Sequence, residues 1–81
     1  MSLVSGAQLR AARALVRLDQ TKLAELASVS PVTVGKLESS DGPLNARAGT
    51  LRALQRALEE AGVEFIDDGR PGVRLRTPSA A

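Results

Sequence analysis

The 81-residue chain has no cysteine, no histidine, no tyrosine and no tryptophan, and a single phenylalanine. Without cysteine, neither a disulfide nor a thiolate metal site can hold the fold together. Without histidine, it lacks the usual general base and the commonest metal ligand. One aromatic ring cannot form the stacking platform that single-strand binders use. No pair of carboxylates stands in an active-site motif, so neither an enzyme nor a bound cofactor or metal is expected. No apolar run approaches the roughly 20 residues needed to span a bilayer. The N-terminus lacks the charged start and apolar stretch of a signal peptide. The expectation is one small, soluble, cytoplasmic domain with a single core and no membrane partner.

The net charge is only +2, but it is unevenly spread. Residues 1–58 hold eight basic side chains against four acids, and five acids then crowd into residues 59–68. A polyanion would be drawn to the first part and repelled by the second, although ordinary solvated surface would read the same way.

The apolar pattern predicts a mainly α chain that ends in a short β-hairpin or arm. Ser5 with Gln8 three residues on forms a capping box for a first helix over about 6–17. Leu9, Ala12, Arg13 and Val16 share its inner face, so Arg13 needs a partner. Asp19 caps a second helix over about 20–27. Ser28-Val29-Ser30 makes a turn, and Ser30 with Pro31 opens a third helix that ends near residues 37–39. Leu51, Leu54 and Leu58 mark a fourth helix that begins between Asn45 and Thr50 and stops at Gly62. The period then changes. Residues 63–67 and 73–77 read as strands around the turn 68–72, with Glu64 facing Arg74 or Arg76. Residues 78–81 read as a frayed tail.

The segment 19–38 carries most of the functional information. Leu23, Ala24 and Ala27 share one helix face, Val29 plugs the turn, and Val34 and Leu37 lie three apart on the next helix. Ser30, Pro31, Val32, Thr33 and Lys36 are left facing outward. The series Gln20-x-x-Leu-Ala-x-x-Ala27, then Val29-Ser30 and Val34-x-x-Leu-Glu38, resembles the lambda-repressor-like, Cro-type helix-turn-helix (XRE) family over about residues 7–62. Two features depart from that family. Ser28 occupies a turn position usually held by glycine, and Gly35 lies within the third helix, where it is either tolerated or permits close approach to a sugar-phosphate backbone.

The resemblance implies a lambda-repressor-like four-helix domain over 1–62, with the helix-turn-helix at about 19–38. The third helix would be the recognition helix, with Val32, Thr33 and Lys36 at base edges in a major groove. Gln20 would meet a phosphate or an outer base, and the helix-end N–H groups near Gln20 and Thr21 would offer an anion site. Ser30, Ser39, Ser40 and Arg47 are candidates for phosphate contacts, but Ser30 is also an N-cap and the other serines are also turn formers. Arg13 and Glu38 are expected to pair, because the family packs the first helix against the end of the third.

The function so implied is a sequence-specific double-stranded DNA-binding regulator of bacterial or phage type. It would bind a palindromic operator as a homodimer and repress by occlusion. Residues 63–81 would serve dimerisation, with Phe65 or Ile66 buried across a two-fold axis, unless the fourth helix does so instead. The alternative is a protein-interaction module, such as the antitoxin half of a toxin–antitoxin pair.

Overall fold

The computed structural model describes residues 3–67 and 69–76. Four helices come first: α1 (Gly6–Val16), α2 (Gln20–Ala27), α3 (Pro31–Glu38) and α4 (Ala48–Glu60). An antiparallel hairpin of β1 (Val63–Asp67) and β2 (Pro71–Leu75) follows. No helix among the described residues is long and apolar enough to cross a membrane.

Caps set the helix starts. The Ser5 hydroxyl accepts from the Gln8 N–H at 3.1 Å, while the Gln8 amide oxygen accepts from the N–H groups of Val4 and Ser5, which closes the capping box. The first helix ends one residue before the expected Arg17. That residue turns left-handed (φ 57°) and forms the C-cap. Asp19 accepts from the Lys22 N–H at 2.7 Å and starts α2. Arg47 caps α4 without a side-chain hydrogen bond.

The core gathers one stripe from each element. Leu9 and Ala12 of α1, Leu23 and Ala24 of α2, Val34 of α3, and Leu54 and Leu58 of α4 are all fully buried. Val63 and Phe65 complete it from β1. The period-2 alternation of β1 turns these two inward and Glu64 outward, where Arg74 grips the Glu64 carboxylate through Nε and Nη2 at 3.1 and 3.0 Å. The second strand starts at Pro71 and not at the expected Val73. Proline is compatible with the first residue of an edge strand, where its missing N–H costs no ladder bond. The strand also stops at Leu75, short of the expected end at Thr77, because the chain already bends at Arg76. Thr77 itself and the tail 78–81 lie outside the described residues.

The hairpin packs on α1 and α4. Gln8, already engaged in the capping box, also donates from Nε2 to the carbonyl of Gly72 at 3.2 Å and so ties β2 to α1. The loop after α3 folds back over the start of α1. Gly6 N donates to Gly42 O and Leu44 N to Val4 O, both at 3.0 Å, on either side of a Ser5–Pro43 bridge. A Cβ at Gly6 would lie 1.9 Å from the carbonyl oxygen of Ser40, so only glycine fits there.

Candidate nucleic-acid interface

The path from α2 to α3 is three residues long, and each has a distinct task. Ser28 adopts φ 58°, ψ 42°, and its N–H bonds the carbonyl of Glu25. A serine therefore bears the left-handed conformation that glycine takes most easily. Val29 is half-buried against the core. Ser30 accepts from the Val32 N–H at 3.1 Å, with Pro31 at the first helical position.

On α3, Val34, Leu37 and Glu38 turn inward. Val32 is 65 % exposed. Lys36 is exposed on the same side, one turn further on, and Thr33 is half-buried at its margin. Valine at 65 % exposure gains nothing from the chain's own core. Lys36 has no acidic partner among the described residues. The Ser39 hydroxyl returns to the Lys36 carbonyl at 2.7 Å, and Ser40 accepts from the Gly42 N–H at 3.1 Å. Both serines thus act as turn residues and still present oxygen to solvent.

The base of α3 is clamped from α1. Arg13 donates through Nε and Nη2 to the two carboxylate oxygens of Glu38 at 2.7 and 2.8 Å, and through Nη1 to the carbonyl of Leu18 at 2.8 Å. The side chains of Glu38 and Arg13 are 3 % and 20 % exposed. Burial pushes the Glu38 carboxyl up. Hydrogen bonds from Arg13 and Gln20, with the charges of Arg13 and Arg10, outweigh burial and hold the pKa below the ordinary glutamate value. The structure therefore brings Arg13 and Glu38 together as a bidentate pair.

Sequence reasoning missed Arg10, one helical turn before Arg13. It donates to the carbonyl of Glu38 at 2.6 Å and pairs with the Asp41 carboxylate. Two arginines at i and i+3 thus hold the end of α3 and the loop beyond it. The spacing was readable in the sequence. The loop that meets it was not, because that contact spans about thirty residues of chain.

Gln20, expected to meet a phosphate or an outer base, also has an internal partner. Its Nε2 donates to Glu38 at 3.1 Å, and its Oε1 lies beside Gly35. One amide hydrogen is thereby committed internally, and Gln20 is half-buried. Thr21 and Arg47 are exposed at the starts of α2 and α4. Gly35 has room for a Cβ, whose nearest neighbour would be Gln20 Oε1 at 3.6 Å, so packing does not dictate a glycine there.

The two residues expected at a dimer seam separate. Phe65 is 1 % exposed and belongs to the chain's own core, because the odd positions of β1 face α1 and α4. It is therefore not available to a second chain. Ile66 lies on the other face, half-buried over Gly72. No protein-family model and no curated protein matches the chain.

Proposed function

We propose that the chain is a sequence-specific double-stranded DNA-binding regulator with α2 and α3 as its helix-turn-helix, and that α3 enters the major groove. The single observation that carries this reading is the outward pair Val32 and Lys36 on a short helix whose inner end is clamped by Arg13 and Glu38. Preorganised side chains lose little entropy on binding, so a rigid rod suits base readout. Val32 and the Thr33 methyl offer apolar contact to a thymine methyl. The Thr33 hydroxyl and Lys36 offer hydrogen bonds to acceptors such as guanine O6 and N7.

Thr21, Ser30, Ser39, Ser40 and Arg47 are exposed at the ends of α2, α3 and α4 and would meet phosphates, which fixes register without reading sequence. Gln20, with one amide hydrogen still available, would reach the outermost phosphate. Two copies on a palindrome, with recognition helices about 34 Å apart, would supply the site length that one helix cannot. Repression would follow from occlusion.

Selection of bound duplexes from a random pool tests the reading. The expected result is a consensus with two-fold symmetry. Lys36→Ala and Thr33→Ala, with helix content unchanged, should then each weaken binding roughly 5- to 150-fold, since a good base contact is worth about 1–3 kcal/mol. Recovery of no consensus, or binding by both variants as tight as that of the wild type, would remove the assignment.

A further inference from the structure

An acid stands among the serines that the proposed function assigns to phosphates. Asp41 follows Ser39 and Ser40 directly, and its side chain is 82 % exposed. These three residues lie at and just past the C-terminus of α3, where the helix dipole is negative. A phosphate arriving there meets a carboxylate and a helix end of its own sign. Stability does not explain the acid either, because exposed ion pairs contribute little.

Among the described residues, the ionic partner of Asp41 is Arg10, which reaches it from α1 through Nη2. The other terminal nitrogen is tied to the backbone. Nη1 donates to the Glu38 carbonyl at 2.6 Å and to the Ser40 carbonyl at 3.4 Å. One side of the guanidinium is therefore anchored at the end of α3, and the other side faces an exposed anion. The Arg10 side chain is itself 40 % exposed. Carboxylate and phosphate both present oxygens that an arginine fork can grip, so the same nitrogen suits either.

We infer that Arg10 is a phosphate-binding residue whose seat Asp41 occupies, and that the pair acts as a brake on affinity for a nucleic-acid backbone. A phosphodiester oxygen takes the place of the Asp41 carboxylate on Nη2, while Nη1 keeps its carbonyls. In the wild type this exchange swaps one anion for another, so it adds little. Without the carboxylate the cation stands in place and unpaired, and the contact adds in full. The brake acts on the sequence-independent part of binding and leaves base readout by α3 untouched.

The inference rests on the regulator reading, which brings DNA to this face, but its test needs no operator. Fluorescence anisotropy of labelled duplexes compares a scrambled sequence with the selected consensus, at salt from about 0.05 to about 0.2 M. Asp41→Ala should bind both duplexes more tightly than the wild type does, and by the same factor. One added phosphate contact steepens the salt dependence of log affinity by about 0.9, so the gain should grow about 3.5-fold from the highest salt to the lowest. In an Arg10→Gln background, the gain from Asp41→Ala should be at least about threefold smaller. Asp41→Ser repeats the test with a residue suited to a turn, and circular dichroism checks the helices of each variant.

An Asp41→Ala variant no tighter than the wild type, or a gain equally large without Arg10, would overturn the inference. So would a gain confined to the consensus duplex, since a phosphate contact carries no sequence. A consensus without the Arg10-dependent gain removes the phosphate site alone. An Arg10-dependent gain on scrambled DNA, with no consensus recovered, removes the regulator reading and leaves the phosphate site. No binding of any duplex by any variant removes both.

Discussion

Glu38→Ala should be among the most damaging single substitutions on the face of α3 that meets α1. It removes both acceptors of the bidentate pair and the acceptor of Gln20 in one step. The arginine left behind is four-fifths buried and, among the described residues, retains only the Leu18 carbonyl as hydrogen-bond partner. Removing one member of a buried pair costs about 3–5 kcal/mol. The low end, about 3 kcal/mol, applies here because Arg13 keeps one carbonyl and can recruit some water. Set against a total of roughly 4–12 kcal/mol for a chain of this length, that is a large fraction. It corresponds to a drop in Tm of roughly 12–24 °C. With no tryptophan or tyrosine, the natural assay is urea unfolding followed by helical circular dichroism. The double variant Arg13→Met/Glu38→Leu should recover most of the loss, because apolar replacement of a buried pair is often neutral or better. A cost below about 1 kcal/mol for Glu38→Ala would refute the argument, since that is the worth of a solvated surface pair. Failure of the double variant to recover would refute it too, by showing that the loss is not the stranded charge.

Acid should act through the same carboxyl. A folded pKa held below the unfolded one gives stability that is complete above the unfolded value and is lost as pH falls through the folded one. Wild-type stability should therefore decline below about pH 4.5, the ordinary carboxyl value, more steeply than that of Glu38→Gln, measured by urea midpoints across pH. Gly6→Ala should cost about 3 kcal/mol, the top of the range for overpacking, because its methyl would strike the backbone oxygens of Ser40 and Leu37; a calorimetric Tm within a few degrees of wild type would contradict this. Gly35→Ala should raise stability by roughly 0.5–1 kcal/mol, since the added methyl meets only ordinary contact. Ser28→Gly should also stabilise, by up to about 1 kcal/mol, through relief of its left-handed backbone; an unchanged urea midpoint would show that serine bears that conformation freely.

The local features of the fold were legible because they are written in adjacent residues. Ser5 with Gln8, Asp19, and Ser30 with Pro31 each place a helix start through a cap whose donor is two or three residues away. Arg13 was legible for a different reason. A charge on an otherwise apolar stripe demands a partner, and Glu38 occupies the matching stripe on α3. What could not be read were the contacts that depend on the loop 39–44 crossing the start of α1. The clasp by Arg10, the crowding at Gly6 and the bridge from Ser5 to Pro43 each join parts of the chain about thirty or more residues apart. The hairpin shows the same division. Alternation gave the inward faces of Val63 and Phe65 and left Glu64 facing Arg74 or Arg76, between which the register selects Arg74. Pro71 and Gly72 read as turn residues until the register placed them opposite Asp67 and Ile66.

The one phenylalanine of the chain is buried where β1 meets α1 and α4. Its ring protons are the sole aromatic side-chain signals that a nuclear magnetic resonance spectrum of this protein can contain. Their dispersion and line width report directly on whether the hairpin is seated on the helices, without isotope enrichment or an attached dye. The scarcity of aromatic residues thus turns Phe65 into a built-in gauge of docking between the two halves of the molecule.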